Sequence, residues 1–243
     1  MIEARNLRMT FGARPVVDDV SFTVETGSVV GFLGPNGAGK STTMRLLTGY
    51  LTPVSGTAAI CGHDVVRDRR AAQACFGYLP EAVGGFPNLT VGEFLAFCGE
   101  ARGMGGTRLT AAVAKVCERI ELTSALDIPM RELSKGWRQR AWLAQAILHE
   151  PPVLIMDEPT DGLDPNQKEH VRDLIRTVAP MTTILISTHI LEEAEEICSR
   201  AIVIAAGRIV ADDTPAGLAD ARGRLAGAFR DLTASQGAAD GRP

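Results

Sequence analysis

Gly34-Pro35-Asn36-Gly37-Ala38-Gly39-Lys40-Ser41 follows the apolar run Val29-Val30-Gly31-Phe32-Leu33 and precedes Thr42-Thr43-Met44-Arg45-Leu46-Leu47. The octet satisfies GxxxxGK[ST], and its flanks read as a strand before and a helix after. The phosphates of a nucleotide need several backbone N–H groups aimed at one point. Glycines let the chain curl closely enough to supply them, and a helix N-terminus adds partial positive charge. On this reading Gly34, Pro35, Asn36, Gly37, Ala38, Gly39 and Thr42 surround phosphate, Lys40 reaches the β- and γ-phosphates, and Ser41 holds Mg²⁺. The plain alternative is an accidental turn in a chain with 25 glycines, but lysine is scarce and its place here is the motif's. The sequence is therefore that of a nucleoside-triphosphate binder.

Composition narrows what such a binder does. At 243 residues the chain fits one large α/β domain, or a core with an inserted subdomain, and 45% apolar residues suffice to fill it. The net charge is -4 and no basic run occurs, so nucleic acid is not expected as a partner. No apolar stretch reaches the ~18 residues that suggest a membrane span, and Met1-Ile2-Glu3-Ala4-Arg5 does not read as a signal peptide. The expectation is a soluble chain, or one held at a membrane through another protein. The cysteines, Cys61, Cys75, Cys98, Cys117 and Cys198, are odd in number and form no CxxC pair, which fits reduced cytosolic thiols.

Along the chain, Ile2, Ala4, Leu7 and Met9, then Val20 to Val24, alternate as strands, and Thr57 to Cys61 and Phe76 to Leu79 are shorter ones. From about Glu81 to Glu150 the signals turn helical. Thr90-Val91-Gly92-Glu93 is a capping box, and Leu109, Val113, Val116 and Ile120 recur on one helix face. Val153 to Met156 and Thr183 to Ser187 restore strand character, with Asp164-Pro165 opening a helix between them. Ala201 to Ala206 and Arg208 to Ala211 form a hairpin about Gly207. Strands alternating with helices imply a mostly parallel, covered sheet.

Met156-Asp157-Glu158-Pro159 closes one of these strands, at the end where open α/β sheets bind ligands. Asp157 is the expected metal contact of a phosphate-loop NTPase, and Glu158 is placed to orient and deprotonate water. Two solvent-facing charges at a strand end are the ordinary alternative, and the upstream loop disfavours it.

With these motifs in this order, the chain resembles the ATP-binding subunits of ABC transporters from about Ile2 to Asp231. The resemblance implies a P-loop NTPase core with a mostly parallel sheet, an N-terminal antiparallel β subdomain and an inserted α-helical subdomain. It places the ATP-binding domain at 2–232, the helical subdomain at about 82–150, and a disordered tail at 233–243. It implies that Phe11 stacks on adenine, and that Glu81, where most of the family carries Gln, contacts Mg²⁺. Leu133-Ser134-Lys135-Gly136-Trp137 departs from the common Leu-Ser-Gly-Gly-Gln, with Lys135 and Trp137 as replacements. Ser134, Lys135 and Gly136 would meet the γ-phosphate bound to a second subunit. Asp161, Gly162, Leu163 and Asp164 match the segment along the dimer interface, and His189 matches the switch histidine beside the γ-phosphate. Glu158, His189 and Lys40 form the implied catalytic set, with ATP and Mg²⁺ bound.

The Leu-Ser-Lys-Gly-aromatic variant is similar to the branch serving ABC-2-type exporters. The implied partners are a second ATP-binding subunit, expected as a homodimer, and an integral-membrane permease. The permease would dock near Glu81 to Phe97 and hold the chain at the cytoplasmic face, with Phe86 and Phe94 as candidate contacts, although packing within the helical insertion is the more ordinary reading of both. The alternatives are a soluble ABC-type ATPase without a permease and a small-molecule phosphotransferase. The second phosphate-facing helix at Ser134 argues against the latter.

Overall fold

Strand alternation at the N-terminus produces a long hairpin. In the computed structural model, which describes residues 1–220, 225–227 and 229–230, β1 (Ile2–Phe11) pairs antiparallel with β2 (Arg14–Val24). Ile2, Ala4 and Leu7 on one strand and Val20, Phe22 and Val24 on the other are buried. β3 (Val29–Leu33), buried at every position, leads into α1 (Lys40–Leu47). β4 (Ser55–Ile60), β5 (His63–Asp64), α2 (Arg69–Ala74) and β6 (Phe76–Leu79) follow. Then come α3 (Val91–Ala101), α4 (Gly106–Arg119) and α5 (Lys135–Ile147). The remainder alternates: β7 (Val153–Asp157), α6 (Pro165–Val178), β8 (Thr183–Thr188), α7 (Leu191–Ile197), β9 (Arg200–Ala205) and β10 (Arg208–Asp213). The tail expected over 233–243 lies outside the described residues.

Two sheets result. The antiparallel one has the order β2-β1-β4-β5. The other has the order β10-β9-β3-β8-β7-β6 and is parallel except for its antiparallel edge strand β10. Strand residues alternate between faces, so β7 feeds two cores. Leu154 and Met156 pack with α3 to α6, whereas Val153 and Ile155 pack with α1 and the antiparallel sheet. Near-continuous apolar runs in β3, β7 and β8 are the consequence of burial on both faces.

The helical insertion is fixed by aromatics and caps. Thr90 Oγ1 accepts from Glu93 N, and the Glu93 carboxylate accepts from Thr90 N at 2.8 Å, so α3 begins with the expected capping box. Phe94 is fully buried, 5.4 Å from Trp142 and 5.6 Å from Phe86 between ring centroids. Its side chain is core, worth about 1.5–3 kcal/mol by burial, so of the two readings of Phe94 the structure shows packing within the insertion; Phe86 keeps an exposed edge. β4 starts at Ser55 rather than Thr57 because Ser55 pairs with Arg8. The cysteines are free; burial pushes the Cys198 thiol up to about 12 and Cys98 to about 11, so neither is a neutral-pH nucleophile.

Candidate active site

The register of the parallel sheet assembles the site. Leu33 at the end of β3 lies beside Thr188 of β8, and Ser187 of β8 lies beside Asp157 of β7. The loop after β3 and the carboxylates after β7 therefore meet across one intervening strand.

Gly34 to Ser41 wraps into the first turn of α1, with Gly37 at φ 80° and Gly39 at φ 108°. A Cβ on Gly39 would lie 2.5 Å from Val16 O, so only glycine fits both the dihedral and the space. Lys40 is buried. Its ammonium donates to Gly34 O at 2.7 Å and Pro35 O at 3.3 Å, and lies 3.2 Å from Glu158 Oε1. Ala38 and Thr43 are buried, while Pro35 to Gly37 are exposed. The α1 terminus carries no side-chain cap, so its backbone N–H groups stay available to an anion.

Ser41 Oγ is 3.1 Å from Asp157 Oδ1 and 3.2 Å from Glu81 Oε2. Asp157 is almost fully buried, and its Oδ2 has no hydrogen-bond partner among the described residues. Burial raises its carboxyl above the ordinary carboxylate range. The hydroxyls of Ser187 and Ser41 act in the opposite sense, and the Glu81 and Glu158 charges add to the rise. An orphaned buried carboxylate oxygen, a serine hydroxyl and a second carboxylate form an all-oxygen set suited to a hard divalent cation such as Mg²⁺. Glu81, through its 3.2 Å approach to Ser41 Oγ, adjoins this set.

Glu158 follows β7 in a left-handed conformation, φ 49°. Its carboxylate is shared between Lys40 at Oε1 and His189 at Oε2, the latter 2.8 Å from Nδ1. His189, after β8, is partly exposed. A carboxylate holding an imidazole at the edge of the phosphate loop can orient water and take its proton.

The remaining predicted residues lie elsewhere. Phe11 is 52% exposed at the end of β1, a free aromatic face beside the hairpin turn. Ser134 caps α5 by accepting from Trp137 N at 3.4 Å. Lys135 reaches Asp161 at 3.8 Å, and Gly136 packs against Gln167. The Ser134 to Gly136 segment therefore adjoins Asp161 to Asp164, where Leu163 is buried and Asp161, Gly162 and Asp164 are exposed. Asp164 accepts from Gln167 N at 2.9 Å and caps α6. The structure shows no bond between Ser134 to Gly136 and the phosphate loop of the same chain among the described residues.

Sequence reasoning missed Ser187. Its hydroxyl donates to Asp157 Oδ1 and accepts from Glu158 N at 3.1 Å, so one side chain orients both carboxylate residues. The signal was in principle present, because a parallel β7–β8 register places a hydroxyl opposite Asp157.

Comparison with known proteins identifies relatives of nearly the whole chain. The ABC transporter family model matches residues 17–161. The chain is 41% identical over 218 residues to Nod factor export ATP-binding protein I of Paraburkholderia xenovorans, covering 89% of this chain and 72% of that protein. It is 38% identical over 220 residues to the protein of the same name from Rhizobium meliloti, covering 90% and 66%. Among solved structures, an ATP-binding subunit of an ABC transporter superposes with TM-score 0.87 at 30% identity, over 96% of this chain and 99% of that one. A dimeric bacterial ABC transporter cassette superposes with TM-score 0.81 at 22% identity, over 88% and 98%, a likeness of fold. With the family model spanning more than half of its length and these relatives nearly all of it, the chain belongs to the ABC transporter family.

Proposed function

We propose that this chain is the ATP-binding and ATP-hydrolysing subunit of an ABC exporter, working as a dimer on a separate membrane permease. The observation that carries this reading is the convergence of Lys40, Ser41, Asp157, Glu158 and His189 at the carboxyl ends of three adjacent strands. The export assignment draws on relatives named as export proteins. The finer ABC-2 assignment draws on Leu133-Ser134-Lys135-Gly136-Trp137. No helix among the described residues is long and apolar enough to cross a membrane, so transport by this route needs a partner that spans it. That partner would hold the chain peripherally at the cytoplasmic face.

The residues divide the chemistry. Backbone N–H groups of Gly34 to Ser41 and the α1 terminus bind the phosphates, Lys40 exchanges its carbonyl and Glu158 partners for phosphate oxygens, and Phe11 offers its exposed ring to the adenine. Ser41, Asp157 and Glu81 would hold Mg²⁺, which when bound supplies positive charge to the phosphate oxygens. Glu158 orients the attacking water and accepts its proton, while His189 fixes the Glu158 carboxylate and faces the γ-phosphate. Ser134, Lys135 and Gly136 of a second copy close over the same phosphates. Asp161, Gly162, Leu163 and Asp164 line the contact between copies.

Glu158→Gln tests this. The amide keeps the shape but cannot take a proton, so ATP binding should persist and turnover fall by roughly a hundredfold or more. An ATP-dependent dimer should then accumulate on size-exclusion chromatography. Wild-type turnover in this variant would remove Glu158 from the mechanism.

A further inference from the structure

We propose that Gln139 and Glu193 are positioning residues, which hold Glu158 in register by hydrogen-bonding the two residues after it. This rests on the reading of Glu158 as the water-directing group.

The reason a clamp is needed lies in the backbone. Glu158 is a non-glycine residue at φ 49°. Such a conformation costs about 1–3 kcal/mol and persists only where the surroundings over-determine it. Ser187 restrains one side, since Glu158 N donates to Ser187 O at 3.0 Å and to its Oγ at 3.1 Å. On the other side the chain leaves the sheet as Pro159-Thr160 and could relax. Two buried side chains prevent it.

Gln139, 4% exposed on α5, donates from Nε2 to Pro159 O at 2.9 Å. Glu193, 2% exposed on α7, accepts from Thr160 Oγ1 at 2.7 Å on both carboxylate oxygens. A buried carboxylate is costly unless paired and hydrogen-bonded. Glu193 meets that requirement with Thr160, with Thr188 Oγ1 at 3.3 Å and with the Lys168 ammonium at 3.7 Å. Two of those donors, Thr160 and Thr188, lie beside the reaction machinery. Thr160 is two residues after Glu158. Thr188 directly precedes His189, and its hydroxyl also accepts from Ile190 N at 3.0 Å, fixing the backbone on the far side of that histidine. Glu193 thus ties the arm bearing Glu158 to the arm bearing His189.

Gln139 adds a second connection. It sits in the second turn of the helix that begins at Ser134, so the helix that would meet a partner's nucleotide also grips the segment carrying this chain's own Glu158. Neither Gln139 nor Glu193 touches Lys40, Ser41 or the Glu158 carboxylate, so their effect is through geometry.

The test is steady-state ATP turnover of the full-length chain, with nucleotide affinity and thermal melting measured in parallel. Thr160→Val removes the hydroxyl at nearly constant volume, and Thr160→Ser restores it. Thr160→Val and Gln139→Leu should lower kcat roughly ten- to a hundredfold, the scale of a small misplacement of catalytic groups, with ATP KM unchanged; Thr160→Ser should recover most of the rate. Glu193→Leu risks misfolding, which is why the hydroxyl at the other end of the bond carries the test. Wild-type kcat in Thr160→Val, equal slowing in Thr160→Ser and Thr160→Val, or a KM rise matching the fall in kcat would each overturn the clamp. A wild-type chain that binds but never hydrolyses ATP would instead overturn the function on which it rests.

Discussion

Lys40 ends its flexible stem where water has little access, between two loop carbonyls and Glu158. A buried ion pair is weak evidence for stability, because desolvation offsets much of the attraction; here it stores a cation where phosphate is to arrive. The backbone around it is equally constrained. Gly39→Ala would place a methyl 2.5 Å from Val16 O in a conformation L-residues avoid. It should destabilise the chain by about 1–3 kcal/mol and weaken nucleotide binding at least tenfold, read by thermal melting and by titration with a fluorescent ATP analogue. Ser41→Ala removes an oxygen shared by Asp157 and Glu81. Turnover should then require more Mg²⁺, so a magnesium titration that superposes on wild type would exclude Ser41 from the metal set. The convergence of Lys40, Ser41, Asp157 and Glu158 was legible in the sequence because the patterns that mark them run along the chain. Ser187 and Glu193 were not, since what they do is set by strand pairing and helix packing across about thirty residues.

At the scale of elements, helix ends and strand ends carry the function, and they were read best where the local chemistry was strongest. The capping box at Thr90 and the Asp-Pro start of α6 appear as expected. The six-residue α2 and two-residue β5 were not anticipated, because periodicity has no room to declare itself in so few residues. One element junction has a pH signature. His149, just beyond α5, accepts at Nε2 from Arg102 at 2.9 Å, and Arg102 also donates to Gln73 O and Phe76 O. Burial, then the Arg102 charge, lowers the His149 pKa from 6.5 to about 4. Between those values the unfolded chain binds more protons than the folded one, so stability falls as pH drops from about 6.5 toward 4. His149→Gln offers an amide oxygen to the same arginine and does not titrate. Its melting temperature should fall less between pH 7 and pH 5 than that of the wild type.

On the proposed reading, the whole molecule presents half a site. The phosphate loop is complete within one chain, whereas Ser134 to Gly136 makes its contacts with Asp161, Gln167 and Trp137. Ser134→Arg, in the dimer-trapping Glu158→Gln background, should leave ATP binding within about twofold and abolish the trapped dimer; a dimer that still forms would show that the copies meet elsewhere. The helical insertion was legible as a change in period along the chain, but the face each helix covers was not. Phe94 shows why: an aromatic in an apolar stripe looks alike whether it packs inward or waits for a partner.

β8, lying between β3 and β7, has one more consequence. Strands in a sheet sit about 4.7–4.9 Å apart, so the loop and the carboxylates hang from backbones about 9–10 Å apart. That interval is fixed by main-chain hydrogen bonds, which replacements other than proline leave in place. The sheet works as a ruler for the gap between Ser41 and Asp157. A residue that reaches into the gap, such as Glu81, can therefore be exchanged while the gap itself stays constant.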